Sequence, residues 1–312
     1  MRAVRQIAYG EPLVVEEVAD PTVAPGETLV TIAYGAANPL DVWISLGSVA
    51  VAGPLPRTPG CEGVGLDANG RRVAFRGAGL GLTRDGSWAE RVAVPDLALA
   101  LIPDGCSDRD AAALGIPGVT ALDCLDLAEV DSGSTVLILG ASGGVSVIAM
   151  QLARMRGARV LAQTSSPNRV GLVSRYADEV VVADAAVLEE EVRRLVPEGV
   201  DVILDPLAGA FSGSAARLLA TNGTLVLYGA SAGSEFAFGP QDLYRKNARI
   251  VGYSGLPVAP EMTASRQETL FAFVAAGTLE AAIADELPFE QANEVVARIR
   301  ENRAGGKLLL KP

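Results

Sequence analysis

TVLILGASGGVS, residues 135 to 146, passes from an unbroken apolar run through a glycine turn into a helical pattern. Thr135 to Leu139 is a largely β-branched apolar run, the signature of a strand buried on both faces of a parallel sheet. Gly140 breaks that run. Val145, Ile148, Ala149, Leu152 and Ala153 then recur at helical spacing and lay one apolar stripe toward the sheet. A strand, a tight glycine turn and a helix make a cradle for a diphosphate. Backbone without side chains at Gly143 and Gly144 can approach the anion. The first-turn N–H groups, between Ser142 and Val145, face it with about half a positive charge. Ser146 stands at the last position of the glycine fingerprint, where glycine allows the closest helix–strand packing, so some closeness is lost there.

Outward from the cradle, the helix ends at Arg154, Arg156 and Gly157, cations and a glycine where the dipole and a left-handed cap favour them. A strand from Ala158 to Ala162 completes a right-handed βαβ crossover. Further strands read at Val180 to Val182, Val200 to Leu204, Thr224 to Tyr228 and Arg249 to Tyr253, with helices at Ala185 to Val196 and near Ser214 to Leu219. The alternation predicts an α/β fold with six parallel strands in a doubly wound sheet.

Residues 1 to about 120 instead alternate short β-like runs with Gly/Pro turns, which predicts an all-β, barrel-like first domain. The clearest runs are Leu13 to Val18, Thr28 to Ala33, Arg72 to Phe75 and Trp88 to Val94. Helical patterns at Asp110 to Ala113 and Gly118 to Leu127 lead into the parallel sheet. Past that sheet come helices at Ser265 to Ala276, with Ser265 and Glu268 as a capping box, and at Phe289 to Glu301, then a run from Lys307 to Leu310. The expected division is a β-rich domain over residues 1–118, completed by about 256–312, and a dinucleotide-binding domain over 119–255.

At 312 residues the chain exceeds the ~250 to 300 at which single cores stop growing, which agrees with two domains. A net charge of -11 argues against nucleic acid and anionic membrane as partners, since both need a basic face. The opening MRAVRQIAYGEP has no apolar signal core, and no run reaches the ~18 residues of a membrane span, so the expectation is a cytoplasmic protein. The cysteines, Cys61, Cys106 and Cys124, are odd in number and scattered, unlike a disulfide framework or a zinc ribbon. Histidine is absent, which removes the commonest zinc ligand and the commonest general base, and no metal is expected.

An acidic residue closing the second strand would hold the ribose 2′-hydroxyl of NAD, but the strand here ends Ala162-Gln163-Thr164-Ser165-Ser166, with Arg169 close behind. Hydroxyls on Thr164 and Ser165 beside one guanidinium suit a 2′-phosphate, which favours NADP(H). The other reading is that Ser165 and Ser166 cap the next helix while Arg169 lies in solvent.

Several stretches in order then carry a resemblance over essentially the whole chain. They are Asn38-Pro39-Leu40-Asp41 with Gly47, Pro59-Gly60-Cys61-Glu62-Gly63-Val64-Gly65 and Gly86-Ser87-Trp88-Ala89-Glu90. After them come Ile102-Pro103-Asp104-Gly105, Thr120-Ala121, the cradle, Asp201 to Asp205, Gly223 to Gly229 and the tail Gly305-Gly306-Lys307-Leu308. Together they resemble the medium-chain dehydrogenase/reductase superfamily, and within it the zinc-free, zeta-crystallin-like quinone oxidoreductases. The resemblance implies a GroES-like β-rich domain and a Rossmann domain. The zinc branch would carry histidine where Cys61 stands and cysteine near Asn38, and this chain has neither. Members of the zinc-free branch reduce quinones, enals, enones or enoyl thioesters with NADPH and are often homodimers. By the same resemblance the cofactor meets Asn38, Thr120, Ser142, Gly143, Gly144, Val145, Ser165, Arg169, Tyr228, Gly229 and the loop from Tyr253 to Gly255.

Hydride transfer asks a protein for position, dryness and an electrophilic contact at the oxygen where charge builds. Asn38 is the first candidate, an amide able to donate to that oxygen or to hold the cofactor's carboxamide; its plainer reading is a turn with Pro39. Asp41 orients local backbone or a neighbouring side chain. Enoyl thioester reductases of the family place a tyrosine near Val49, where this chain reads Gly47-Ser48-Val49-Ala50. The proton then comes from water, or from Tyr34, Tyr228 or Tyr253, each also readable as a half-buried strand residue. Trp43 reads as a stacking wall for an aromatic acceptor or as core, and Cys61 as an inert thiol.

Small and apolar residues from Gly47 to Leu55 and from Gly77 to Gly86 favour a small hydrophobic carbonyl or quinone, while Arg57, Arg76 and Arg84 leave a phosphate-bearing substrate open. The expected activity is zinc-independent hydride transfer from NADPH to a quinone, enone or enal. The alternatives are a non-redox cyclisation or elimination on the same scaffold, and an NADPH-binding sensor.

Overall fold

The computed structural model describes residues 1–50 and 52–312; Val51, within the apolar stretch from Gly47 to Leu55, lies outside the described residues. The chain divides into two compact units, Met1–Val119 with Gly255–Pro312, and Thr120–Ser254.

In the first unit β1 (Arg2–Arg5) and β2 (Val14–Glu17) form a two-stranded antiparallel sheet. A seven-stranded sheet takes β3 (Glu27–Ala37), β4 (Glu62–Leu66), β5 (Arg72–Arg76), β6 (Arg91–Pro95) and β7 (Leu99–Leu101), plus two strands from the C-terminal segment. Val30 and Ile32 on β3, Val73 and Phe75 on β5, and Val92 and Val94 on β6 are buried at a two-residue period and pack as one cluster with Leu80. The run expected at Trp88 to Val94 becomes strand only from Arg91, and Trp88 itself is buried with Val4 and Leu308 in a separate cluster. Helix α1 (Pro39–Ser45) follows β3 directly, with α2 (Asp108–Ala112) and α3 (Gly115–Leu127) after β7. Trp43 on α1 is 45% exposed, so it is not core.

The second unit runs β8 (Thr135–Ile138), α4 (Gly144–Met155), β9 (Arg159–Thr164), α5 (Val170–Val173), β10 (Glu179–Val182), α6 (Leu188–Leu195) and β11 (Val200–Asp205). It continues through α7 (Ser212–Leu218), β12 (Leu219–Leu227), α8 (Pro240–Tyr244) and β13 (Arg249–Gly252). The six strands pair parallel throughout, in the order β10-β9-β8-β11-β12-β13. The order reverses beside β8, and the crevice at the carboxyl ends of β8 and β11 is where such sheets bind ligands. Val136, Leu137 and Ile138 of β8 and Ile203 and Leu204 of β11 are fully buried. Helix α6 begins later than the apolar pattern suggests, because the Asp184 carboxylate accepts the Ala186 and Val187 N–H groups and holds a turn there.

The C-terminal segment supplies α9 (Pro260–Ala275), β14 (Ile283–Pro288), α10 (Ala292–Arg300) and β15 (Lys307–Lys311). The capping box expected at Ser265 and Glu268 is corrected. Pro260 opens α9 a turn and more earlier, and the Glu268 carboxylate instead accepts the Leu101 N–H at 3.0 Å. β15 pairs parallel with β14 and antiparallel with β3, so that Leu308 lies opposite Ala37. Among the described residues no helix is long and apolar enough to cross a membrane.

Candidate functional site

The cradle forms at the end of β8. Gly140 has φ +56°, the left-handed backbone that glycine adopts without penalty, and turns the chain toward α4. A side chain from the neighbouring strand fixes that turn. Gln163 on β9 accepts the Gly140 N–H on Oε1 at 2.9 Å and donates from Nε2 to Ala183 O at 2.6 Å, while its backbone carbonyl accepts the Ala141 N–H at 2.8 Å. A polar side chain inside an apolar parallel strand is the signal that could have found it. Gly143 is the N-cap of α4 and offers no side-chain cap. Among the described residues the N–H groups of Gly144, Val145 and Ser146 have no acceptor within the chain, so the helix start is open to an anion.

Ser146 is 1% exposed, and its Oγ lies 3.4 Å from Leu139 O and 3.3 Å from the Tyr228 phenol at the end of β12. The serine in the fingerprint is thus a tie between α4, β8 and β12. Burial pushes the Tyr228 phenol well up from its ordinary range, so it stays protonated. Gly229 follows it at the turn. Thr164 ends β9 and turns inward, its Oγ1 accepting the Ser166 N–H at 3.2 Å. Ser165 is exposed and Arg169 half-buried, and the Arg169 guanidinium has no carboxylate partner among the described residues. Thr120 is buried on α3; one turn further on, Asp123 accepts the Tyr253 hydroxyl at 2.7 Å.

Asn38 and Asp41 lie in the first unit, where the structure gathers more than the sequence did. Asn38 is both the N-cap of α1 before Pro39 and a member of a buried polar cluster. Its Nδ2 donates to Glu62 Oε1 at 2.8 Å, and its Oδ1 accepts from Lys307 Nζ at 2.6 Å. Lys307 also pairs directly with Glu62 Oε1, and Glu62 Oε2 accepts the Ile116 N–H at the start of α3. Gly115 permits that approach, since a Cβ there would run into Glu62 Oε2. Asp41 accepts the Asn38 N–H at 2.8 Å and the Cys61 N–H at 3.1 Å, so it positions backbone. Burial pushes its carboxyl above the usual range, against the opposing pull of Lys307. Cys61 is buried and its thiol is pushed far up by that burial and by Asp41, which makes it inert. Neither Glu62 nor Lys307 carries a local sequence signal of this role, since their partners lie 24 to 269 residues away.

Around this cluster Ile44, Cys61 and Leu82 pack with Leu40, Val49, Ala52 and Ile116. Of the three arginines that left a phosphate open, Arg84 is paired with Glu27. Arg57 donates to Gly53 O, and Arg76 is buried. Gly255 opens the C-terminal segment of the first unit. Among the described residues no group of three or more acidic or cysteine side chains could hold a metal ion.

A parallel sheet in this order, with a glycine turn and an open helix start at its switch point, defines a dinucleotide-binding architecture, carried here on a chain with a second, sheet-rich unit. Residues 144–268 match the family described as zinc-binding dehydrogenase. The chain is 30% identical over 322 residues to a quinone oxidoreductase of Sus scrofa, covering 99% of this chain and 97% of that protein. It is 28% identical to the synaptic vesicle membrane protein VAT-1 homolog of Homo sapiens, covering 94% of this chain and 81% of the relative. The solved quinone oxidoreductase of Thermus thermophilus, described also in complex with NADPH, superposes with a TM-score of 0.86 at 29% identity over 100% of both chains. The chain belongs to the quinone oxidoreductase family of the medium-chain dehydrogenase/reductase superfamily.

Proposed function

We propose that this protein is an NADPH-dependent oxidoreductase acting on a quinone or an α,β-unsaturated carbonyl compound. The observation that carries the coenzyme choice is the half-buried Arg169, without a carboxylate partner and close behind the exposed Ser165 at the end of β9. A guanidinium and a hydroxyl there suit a 2′-phosphate, and no acidic residue stands at the strand end to prefer a free 2′-hydroxyl. The open N–H groups of Gly144, Val145 and Ser146 fit a diphosphate, and the missing side chain at Gly143 leaves room for it. NADPH bound in this way supplies the hydride.

The chain's own residues position and polarise. Asn38 offers an amide hydrogen to the acceptor's carbonyl oxygen, and Asp41 holds the Asn38 backbone. The proton comes from water or from one of the phenols Tyr34, Tyr228 and Tyr253, which are bonded to Glu286, Ser146 and Asp123 respectively.

The test is loss of reduced-nicotinamide absorbance with NADPH and with NADH, against quinones, enals and cyclic enones. NADPH oxidised in preference to NADH is the expected result. NADPH that binds but is never consumed across that panel overturns the reductase reading in favour of a non-redox enzyme or a sensor.

A further inference from the structure

We propose that Lys307, on the last strand of the chain, is a positioning residue that fixes the direction of the Asn38 amide and so leaves one of its hydrogens for the acceptor. The proposal rests on the reductase reading and extends it to a residue 269 positions away in sequence. A buried amide has two orientations related by a half-turn, and here electrostatics separates them. In the observed one the carbonyl faces the Lys307 ammonium at 2.6 Å and the NH2 faces the Glu62 carboxylate at 2.8 Å. In the reversed one the NH2 would face the ammonium and the carbonyl would face the carboxylate, so both contacts would turn repulsive.

Lys307 and Glu62 are held as firmly as the amide they direct. The Lys307 side chain is 6% exposed and that of Glu62 1%. The Lys307 backbone N–H is bonded to Ala282 O at 2.7 Å, and Leu308 next to it is in register with Ala37, the residue before Asn38. Glu62 is held by Lys307 and Asn38 on one oxygen and by the start of α3 on the other. Of the two hydrogens on Asn38 Nδ2, one is committed to Glu62. The other has only Asp41 Oδ2 at 3.4 Å, too long for a strong bond. That second hydrogen is directed at Asp41 Oδ2, a long contact that the acceptor's carbonyl oxygen would replace.

Lys307→Met alone would leave the Glu62 carboxylate buried without its cation, and such a variant can fail simply by unfolding. The decisive variant is therefore the double replacement Lys307→Met with Glu62→Gln, which removes both charges at nearly constant volume. It is compared with the wild-type chain by thermal melting, NADPH titration, turnover with p-benzoquinone or cyclohexenone, and the 15N–1H signals of the Asn38 side-chain amide. The expected result is a folded variant that binds NADPH within about twofold of wild type while kcat falls about 10- to 100-fold. The Asn38 amide hydrogens, protected in the wild type, should exchange at least about tenfold faster. A folded double variant with unchanged kcat and unchanged Asn38 signals overturns the positioning role. A wild-type chain that consumes no NADPH overturns the reductase reading instead, and the Asn38 signals then report separately whether Lys307 fixes the amide.

Discussion

Arg169 and Ser165 follow Thr164 within a few residues, and their surroundings decide how a coenzyme phosphate would be received. Thr164 is turned inward to its own backbone, so it adds little to an exposed phosphate, which leaves Ser165 and the guanidinium. Under the proposed reading, Arg169→Ala removes one or two charge-assisted bonds worth about 1.5–3 kcal/mol each, which raises the NADPH Kd by about 10- to 100-fold or more. NADH lacks the 2′-phosphate, and its Kd should stay within about twofold. Fluorescence titration of both coenzymes checks this, and an equal loss for both would remove Arg169 from the phosphate site. Cys61 gives the complementary case of a residue whose reactivity the fold suppresses. Its thiol is pushed up by burial and by the adjacent Asp41, so thiol reagents should label it far more slowly in the folded chain than after unfolding.

Between β8 and α4 the turn depends on Gln163, a side chain from the neighbouring strand. Gln163→Leu keeps the volume but leaves the Gly140 N–H and the Ala183 carbonyl without their partner, at a cost of about 2–4 kcal/mol in unfolding free energy. NADPH affinity should fall with it, because the same bond fixes the turn. Denaturant unfolding with coenzyme titration measures both, and a neutral effect on both would show that Gly140 holds its own conformation. The strand–turn–helix unit was legible in sequence because its signals are local: an apolar run, a glycine and a helical period within a few turns of chain. β14 was not, since Ile283–Pro288 has mostly half-exposed and exposed positions and no alternation. The start of α9 was misread for a related reason, as Ser265 and Glu268 have the spacing of a capping box while Pro260 has the stronger claim on the first helical position. Asn38 and Asp41 were legible as a motif, but Lys307 was not legible as their partner. Only the pairing of β15 with β3 brings it there, and no local pattern reports that pairing.

For the whole molecule the governing quantity is charge. A net charge of -11 at pH 7 with a pI near 4.7 means that mild acidification relieves self-repulsion. Two internal carboxyls act in the same direction. Burial raises Asp41 and Asp205 above their unfolded values, so each opposes folding when ionised, and that opposition fades as pH falls through the raised folded value. The surface carboxylates act the other way. Lys311 holds Glu286 down, Arg298 holds Asp285 down, and the Ala24 N–H holds Glu27 down. Their stabilisation is present above their unfolded values, 4.5 for Glu and 3.8 for Asp, and is lost as pH falls below them. Tm should therefore rise from neutrality to a maximum at about pH 5 and fall below it, which scanning calorimetry at fixed ionic strength would show. A steady decline from neutrality downward would contradict the raised values of the two buried carboxyls. Asp205→Asn isolates one member. Asp205 Oδ1 accepts the Leu207 and Ala208 N–H groups, which an asparagine carbonyl can also accept, while Oδ2 has no partner. The variant should keep the fold, and its gain in Tm between neutrality and the maximum should be smaller than that of the wild-type chain. An identical gain would place the acid stabilisation in Asp41 and the net charge alone.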